Sequence, residues 1–287
     1  IITSGLQAEQ SLNEDETIRD NRNPAKPTRG NINVTGSVEA YIDAINFGLW
    51  LKAMFGAPET TGTDAPYTHE FEVGPQPSFL IEQGFTDIGV YNLYKGLKVS
   101  NFSAEIGGEG DVRATFDLVG ADEEAGNTST QIGGSVTNLA YNKFSQFQAA
   151  IMKGGSEIGI VPSIDLEIDF SLDDGEDNYP IGNDGVKGQL PEGIVGISGT
   201  LNAWFIDESL LNDAVNGNET SLKLSFVNGT NELEFLMPEV MFERSSPGID
   251  GPQGIMIELP FQAYFDDATE GTAFRATLTN GEDGTNY

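Results

Sequence analysis

The stretch NINVTGSVEAYIDAINFGLWLKAMFG, residues 31–56, changes its hydrophobic period halfway along. Apolar residues alternate with polar or small ones over residues 32–42, which is typical of a half-buried β-strand. From residue 44 the apolar spacing becomes helical, with Asp43 as the expected N-cap and Gly56 as the expected C′ residue. The stretch therefore predicts a strand that leads into a helix of about ten residues packed on one face of a sheet.

The same unit recurs in residues 195–217, VGISGTLNAWFIDESLLNDAVNG. Its residues 199–204 match residues 36–41 position by position, and a helix is predicted to begin after Asp207 and to stop at Gly217. The residues that we expect on the two flanking helices are Leu49, Trp50, Phe55, Leu210 and Leu211.

Strand-like alternation extends along the rest of the chain, in residues 111–120, 163–172, 220–227 and 254–265. Clusters of Gly, Asn, Asp and Pro separate these runs, as in hairpin turns. Residues 5–12 resemble 163–172, and residues 99–121 resemble 240–263. The sequence predicts a mainly β protein with two tandem copies of a β-barrel or β-sandwich, each flanked by a short α-helix, over residues 1–122 and 144–287 with a linker at 123–143.

Composition excludes several classes of function. The chain of 287 residues has 45 acidic and 14 basic side chains, a formal charge of −31, so its surface repels nucleic-acid phosphates. It has no cysteine and a single histidine, which excludes disulfides, thiolate metal sites and His-rich metal sites. No apolar run has the length of a membrane helix, so membrane insertion is not expected, and the first residues lack the pattern of a signal peptide.

No group of residues has a catalytic or metal-binding pattern. The acidic clusters at 171–179, 121–126 and 280–287 lack the spacing of a calcium loop. Nothing distinguishes Glu39 with Asp43, or Glu167 with Asp169, as the carboxylate pair of a glycosidase, and Trp50 and Trp204 are predicted on buried faces. His69 fits a surface histidine or a hydrogen-bonded strand histidine. We therefore predict no enzyme activity, no catalytic residue, no cofactor and no metal.

Two long loops differ in charge. Residues 11–30 contain Arg19, Arg22, Lys26 and Arg29, whereas residues 173–193 are mostly acidic, with Asp173, Asp174, Asp177 and the single cation Lys187. The first loop is either a plain mobile loop or a segment that docks on the acidic surface of another copy of the chain.

The order of motifs resembles the tail tube (major tail) proteins of bacteriophages with long, non-contractile tails. The resemblance rests on the segments GSVEAYIDAINFGLWLKAMFG, PYTHEFEVG, PSFLIEQGF, YNLYKGLKVSNFSAEIGGEGDVRATFDLVG and GISGTLNAWFID. It implies a structural virion protein, assembled in the host cytoplasm, whose partners are further copies of itself, the tape measure protein and the tail-end proteins. It also implies that the charged residues of both loops contact the neighbouring ring.

In such tubes about six copies of the fold form each ring, so a chain with two copies is expected to form a trimeric ring with pseudo-sixfold symmetry. An acidic lumen would let DNA pass without specific binding. One departure is a hairpin expected at 144–161, for which the first half has no counterpart. The alternative is a secreted or surface β-sandwich binding module with acidic, calcium-binding loops, and a carbohydrate-active enzyme ranks last.

Overall fold

The protein is mainly β, as predicted, with 49% of residues in strands and 8% in helices. The computed structural model describes residues 1–133, 139–159, 161–206, 208–248, 254–265 and 270–287. Asp207, the predicted cap of the second helix, lies outside the described residues. Among those described, no helix has the length and hydrophobicity needed to cross a membrane.

The predicted strands are present with small changes at their ends. In the first part of the chain the strands are β1 (Thr3–Ser4), β2 (Gln7–Asn13), β3 (Thr28–Tyr41), β4 (Glu59–Thr61), β5 (Tyr67–Glu72), β6 (Phe79–Phe85), β7 (Val90–Gly107), β8 (Arg113–Gly120) and β9 (Asp122–Asn127). The second part contains β10 (Ala149–Lys153), β11 (Ser156–Glu157), β12 (Ser163–Asp169), β13 (Gly196–Trp204), β14 (Thr220–Asn228), β15 (Asn231–Phe242), β16 (Met256–Tyr264) and β17 (Arg275–Asn280). The hairpin expected at 144–161 is β10 with β11.

Eight antiparallel strands form the main sheet, in the order β2-β3-β8-β7-β12-β13-β16-β15. The first four strands come from residues 1–122 and the last four from residues 144–287. Both sets have the same arrangement: the first and second strands in the chain are followed in the sheet by the fourth and then the third. The sets meet where β7 pairs with β12, from Asn101 opposite Asp169 to Gly107 opposite Ser163. The two parts of the chain therefore share one continuous sheet, and the predicted domain boundary stays a prediction.

One face of the main sheet forms the hydrophobic core. Along β12, Ile164, Leu166 and Ile168 are buried while the residues between them are exposed, which is the strand period seen in the sequence. A second run of strands, β4-β5-β17-β15-β14-β10, covers this face. Phe235 of this second run packs against Phe102 of the main sheet, with ring centroids 6.4 Å apart. The core therefore lies between two layers, as in a β-sandwich.

Helix α1 (Phe47–Phe55) packs between the layers, and its start differs from the prediction. Residues 44–46 form a turn, in which Asp43 Oδ1 accepts hydrogen bonds from the backbone N–H groups of Ile45 (3.0 Å) and Asn46 (2.9 Å). Asp43 thus satisfies two backbone donors, as an N-cap does, but the helix begins three residues later than expected. Gly56 ends the helix with φ 91°.

Helix α2 (Ser209–Asn216) ends at Gly217 in a left-handed conformation, as predicted. Of the helix residues named from the sequence, Phe55 and Leu210 are buried and Trp50 stacks on Phe116 with centroids 4.0 Å apart. Leu49 is exposed and Leu211 is half-buried. Trp204 is 43% exposed, so its predicted burial was wrong: Ala203 takes the core side of β13, and the next residue faces outward.

Two features had no counterpart in the predicted repeat. Strands β6, β9 and the first part of β7 form a separate three-stranded sheet. Strand β17 lies between β15 and β5, so the last strand of the chain joins the outer layers of both halves.

The chain's last described residues are held by a buried hydrogen-bond network. Asn280 donates to the carbonyl oxygen of Ala44 (2.6 Å) and to the hydroxyl of Tyr287 (2.9 Å), and its Oδ1 accepts from Nε2 of His69 (3.2 Å). His69 is fully buried, and its Nδ1 accepts from the hydroxyl of Thr60 (2.9 Å). His69 is thus a hydrogen-bonded strand histidine, one of the two alternatives drawn from the sequence.

Candidate functional site: the polar face, open edges and long loops of the main sheet

The face of the main sheet opposite the core is polar. One row of directly paired residues crosses seven strands: Glu39, Thr115, Ser103, Glu167, Ser198, Gln262 and Met241. The face is concave and bounds an open cleft of about 970 Å³. Side chains of this kind leave a hydrated surface with few apolar groups to bind a ligand.

Carboxylates dominate the charge of this face. They are Glu39, Glu105, Asp117, Asp165, Glu167, Asp169, Glu243 and Glu258, placed by the alternation of the strands. Arg113 is neutralised by Glu39, at 3.3 Å. Glu105 lies directly opposite Asp165 where β7 pairs with β12, so two like charges face each other across the junction. The face therefore carries a negative potential that repels polyanions.

The carboxylates of the two candidate pairs from the sequence lie in different surroundings. Glu39 pairs with Arg113, whereas Asp43 is buried and bonds to backbone N–H groups at the start of α1. Glu167 and Asp169 are exposed on this polar face. In the described part of the chain no three His, Asp or Glu residues are grouped as metal ligands.

The main sheet ends at β2 and at the last residues of β15. At one end, β2 pairs with β3 on one side only within the described chain. At the other end, β15 pairs with β14 as far as Val240, opposite Thr220, so of the described residues there only Met241, Phe242 and Glu243 have an open side. On their other side, β15 pairs with β16 up to Phe242, and Glu243 adds one more backbone bond to Pro260 (2.7 Å). Residues 244–248 then continue outside any strand. Because residues 99–121 resemble residues 240–263, this segment corresponds in sequence to the part of β7 that pairs with β12.

The loop at residues 173–193 folds back onto the first half of the chain. The Tyr179 hydroxyl donates to the carbonyl oxygen of Ile32 (3.0 Å), and the N–H of Ile32 donates to the carbonyl of Gly185 (2.8 Å). Lys187 is 3% exposed and donates to Asn33 Oδ1 (3.0 Å). Burial lowers the pKa of Lys187, and the carboxylate of Asp174 opposes that shift. Lys187 thus bonds within the chain, while Asp173, Asp174 and Asp177 are exposed.

The loop at residues 11–30 has a different environment. Arg19, Arg22, Lys26 and Arg29 are all exposed. The hydrogen bonds described for residues 14–27 stay within the loop, where Asp15 accepts from Thr17 and pairs with Arg19 at 3.0 Å. The bonds from Thr17 hold the pKa of Asp15 below its ordinary value. Ile18, between these residues, is 98% exposed. The contact with a neighbouring ring that the family resemblance implies for these four cations stays a prediction.

A hydrated acidic face and a β2 edge that has no partner in the described chain favour a structural protein that associates with other chains over an enzyme. Residues 3–263 match a protein-family model described as phage tail tube protein. The chain therefore belongs to the phage tail tube protein family, as the sequence resemblance indicated. A search of curated proteins gives no match.

Membership of this family makes the chain a structural component of the virion tail that assembles with itself into the tail tube. The family is not one of enzymes. The match favours the tail tube hypothesis over the binding module and the carbohydrate-active enzyme.

Proposed function

We propose that three copies of this chain close a ring with pseudo-sixfold symmetry, and that stacked rings form the tube through which phage DNA is ejected. The observation that carries this proposal is the pairing of β7 with β12 inside one chain. This junction joins two four-stranded sets side by side and, in the described chain, leaves an open side on β2 and on the residues of β15 after Val240. Repeating the same junction between chains continues the sheet from one copy to the next.

The edges supply the groups that such a junction needs. Residues 243–248 of one copy would extend β15 and pair with β1 and β2 of the next, as Asn101–Gly107 pairs with β12. Open strand edges are avoided in proteins that remain monomeric, because unpaired N–H and C=O groups recruit other chains. A concave sheet continued by rotation closes a ring, which satisfies both edges.

The concave shape of the polar face supports a ring in which this face lies on the inside. Its carboxylates would line the lumen, where they repel the phosphates of DNA and prevent binding by counterion release. DNA then passes without a specific site. The tandem repeat of the fold is part of this proposal, because a duplicated unit gives two similar positions per chain around the ring.

The long loops lie at the same end of the sheet, where β2 leads to β3 and β12 leads to β13. We assign the exposed Asp173, Asp174, Asp177, Arg19 and Arg29 to contacts between stacked rings. Assembly in the host cytoplasm around a tape measure protein, with tail-end proteins closing the tube, completes the proposal.

Electron microscopy of the purified protein over a range of concentrations tests it. Class averages of end-on views should show rings with threefold symmetry and a sixfold outline, and mass photometry should show a species of three times 30.8 kDa. Rings of six chains would refute the trimer and the duplication. Particles that remain monomeric at every concentration would refute ring formation.

A further inference from the structure

The two long loops make different contacts in a single chain, although they occupy matching positions in the sheet. Loop 173–193 leaves β12 and docks on residues 32–33, which lie just before the central part of β3. Loop 14–27 leaves β2 and, in the described chain, makes hydrogen bonds only with itself. The loop of the second half thus binds the first half, which is its neighbour across the β7–β12 junction. The first half has no such neighbour on its β2 side within the described part of its own chain.

A matching surface is open on the second half. Val195 and Gly196 stand before Gly199 at the same spacing as Ile32 and Asn33 before Gly36. Beside them is a groove of about 760 Å³, lined by Val195, Ala263 and Phe265 among others. Ile194 is 91% exposed and Phe265 is 59% exposed at this groove.

The loop and the groove are complementary in polarity and charge. Ile18 is a large apolar side chain that a single chain leaves 98% exposed, and the groove supplies apolar walls for it. Glu167 and Asp169 also line the groove, and Arg22 and Lys26 on the loop are exposed cations. Opposite charges at this position favour a docked loop in one orientation.

We propose that loop 14–27 of one copy docks in the groove beside Val195 of the neighbouring copy in the same ring, with Ile18 against the apolar wall and Arg22 and Lys26 facing Glu167 and Asp169. Between two chains, this contact is the equivalent of the one that loop 173–193 makes with residues 32–33 within a chain. It rests on the proposed ring, since it needs a neighbour whose β15 edge adjoins β2. It also assigns Arg22 and Lys26 to a contact within the ring, whereas the family resemblance implies that this loop contacts the next ring.

Single substitutions separate this contact from folding. Ile18→Asp is expected to raise the protein concentration at which rings form by at least tenfold, because a carboxylate would have to enter the apolar groove. Ile181→Asp is the matched control, since Ile181 is equally exposed in loop 173–193 and lies outside the proposed contact. Arg22→Glu should also weaken rings, and combining it with Glu167→Arg should restore them. Circular dichroism of each monomer confirms that the fold is retained.

Because the chain has no cysteine, cross-linking provides an independent test. The double variant Ile18→Cys with Ile194→Cys, treated with a short bis-maleimide, should give a ladder of linked chains that ends at three on a denaturing gel. Ile88→Cys with Ile194→Cys is the control, because Ile88 is exposed on the turn between β6 and β7.

The outcomes distinguish the two proposals. Rings in the wild-type protein, with equal assembly of Ile18→Asp and Ile181→Asp and no ladder, would refute the docked loop and leave the ring intact. A wild-type protein that forms no rings at all would refute the ring and this contact with it.

Discussion

Asn280 connects the last strand to the start of α1, and its removal should destabilise the whole fold. Its side chain takes part in four hydrogen bonds, to Ala44, Tyr287, His69 and the N–H of Glu282 (2.9 Å). Asn280 is fully buried, so water cannot replace these bonds without opening the structure. Asn280→Ala leaves the carbonyl of Ala44 without this donor.

The expected loss follows from the number of bonds. A hydrogen bond contributes about 1 kcal/mol net, and a buried group left without a partner costs about 1–3 kcal/mol. Because His69 keeps the carbonyl of Glu282 as an acceptor (3.0 Å), the total is smaller than the sum over all groups, and we expect a loss of about 3 kcal/mol in the free energy of unfolding. For a chain of this size that corresponds to a fall in Tm of about 6 °C.

Thermal unfolding followed by circular dichroism and calorimetry measures this change in the unassembled protein. Thr277→Ala is the matched control, because Thr277 lies on the same strand and is only half-buried. The control should lower Tm by less than a third of the effect of Asn280→Ala. Equal Tm values for Asn280→Ala and wild type would refute the role assigned to this network.

Two further predictions concern charge. Asp165→Asn removes one of the like charges that face each other across β7 and β12, so it should stabilise the protein by about 0.5 kcal/mol at low ionic strength and by less at high salt; no gain in urea unfolding relative to Asp87→Asn would contradict this. Burial lowers the pKa of Lys187 in the folded state, so between that pKa and the ordinary 10.5 the unfolded chain binds more protons and stability rises with pH. The free energy of unfolding of wild type relative to Lys187→Met should therefore increase from neutral pH to about pH 9.5, just below the ordinary pKa of lysine. A difference that does not change with pH would refute the shift.

Local signals in the sequence predicted much of the fold. Alternation located β3, β12, β13 and β16 because each has one face in the core and one in water. Gly56 and Gly217 marked the helix ends because both adopt backbone conformations that glycine favours. Asp43 was identified as a capping residue, although the turn it stabilises precedes the helix.

Pairing between distant strands could not be predicted in this way. Nothing in the alternation of β7 or β12 indicates that they pair with each other, because any exposed strand edge offers the same backbone groups. Strand β17 was missed for a similar reason, since one of its two partners, β5, lies some two hundred residues away. Trp204 was misplaced because a one-residue shift in register moves a strand side chain from the core to the surface.

The candidate site was predicted only in outline. The charge of the chain indicated a surface that repels DNA, but composition does not tell which face holds the acids. The two loops were recognised by their cations and carboxylates. That one of them docks on residues 32–33 and the other does not depends on backbone contacts of Tyr179 and Gly185, which leave no pattern in the sequence.

The position of β17 between β5 and β15 affects how the chain folds during synthesis. Residues 67–72 leave the ribosome about two hundred residues before their partner, residues 275–280. The outer layer over the first half therefore stays incomplete until β17 has been made. A nascent chain without β17 cannot present a finished surface to its neighbours, so only molecules that contain this strand are competent to join a growing polymer.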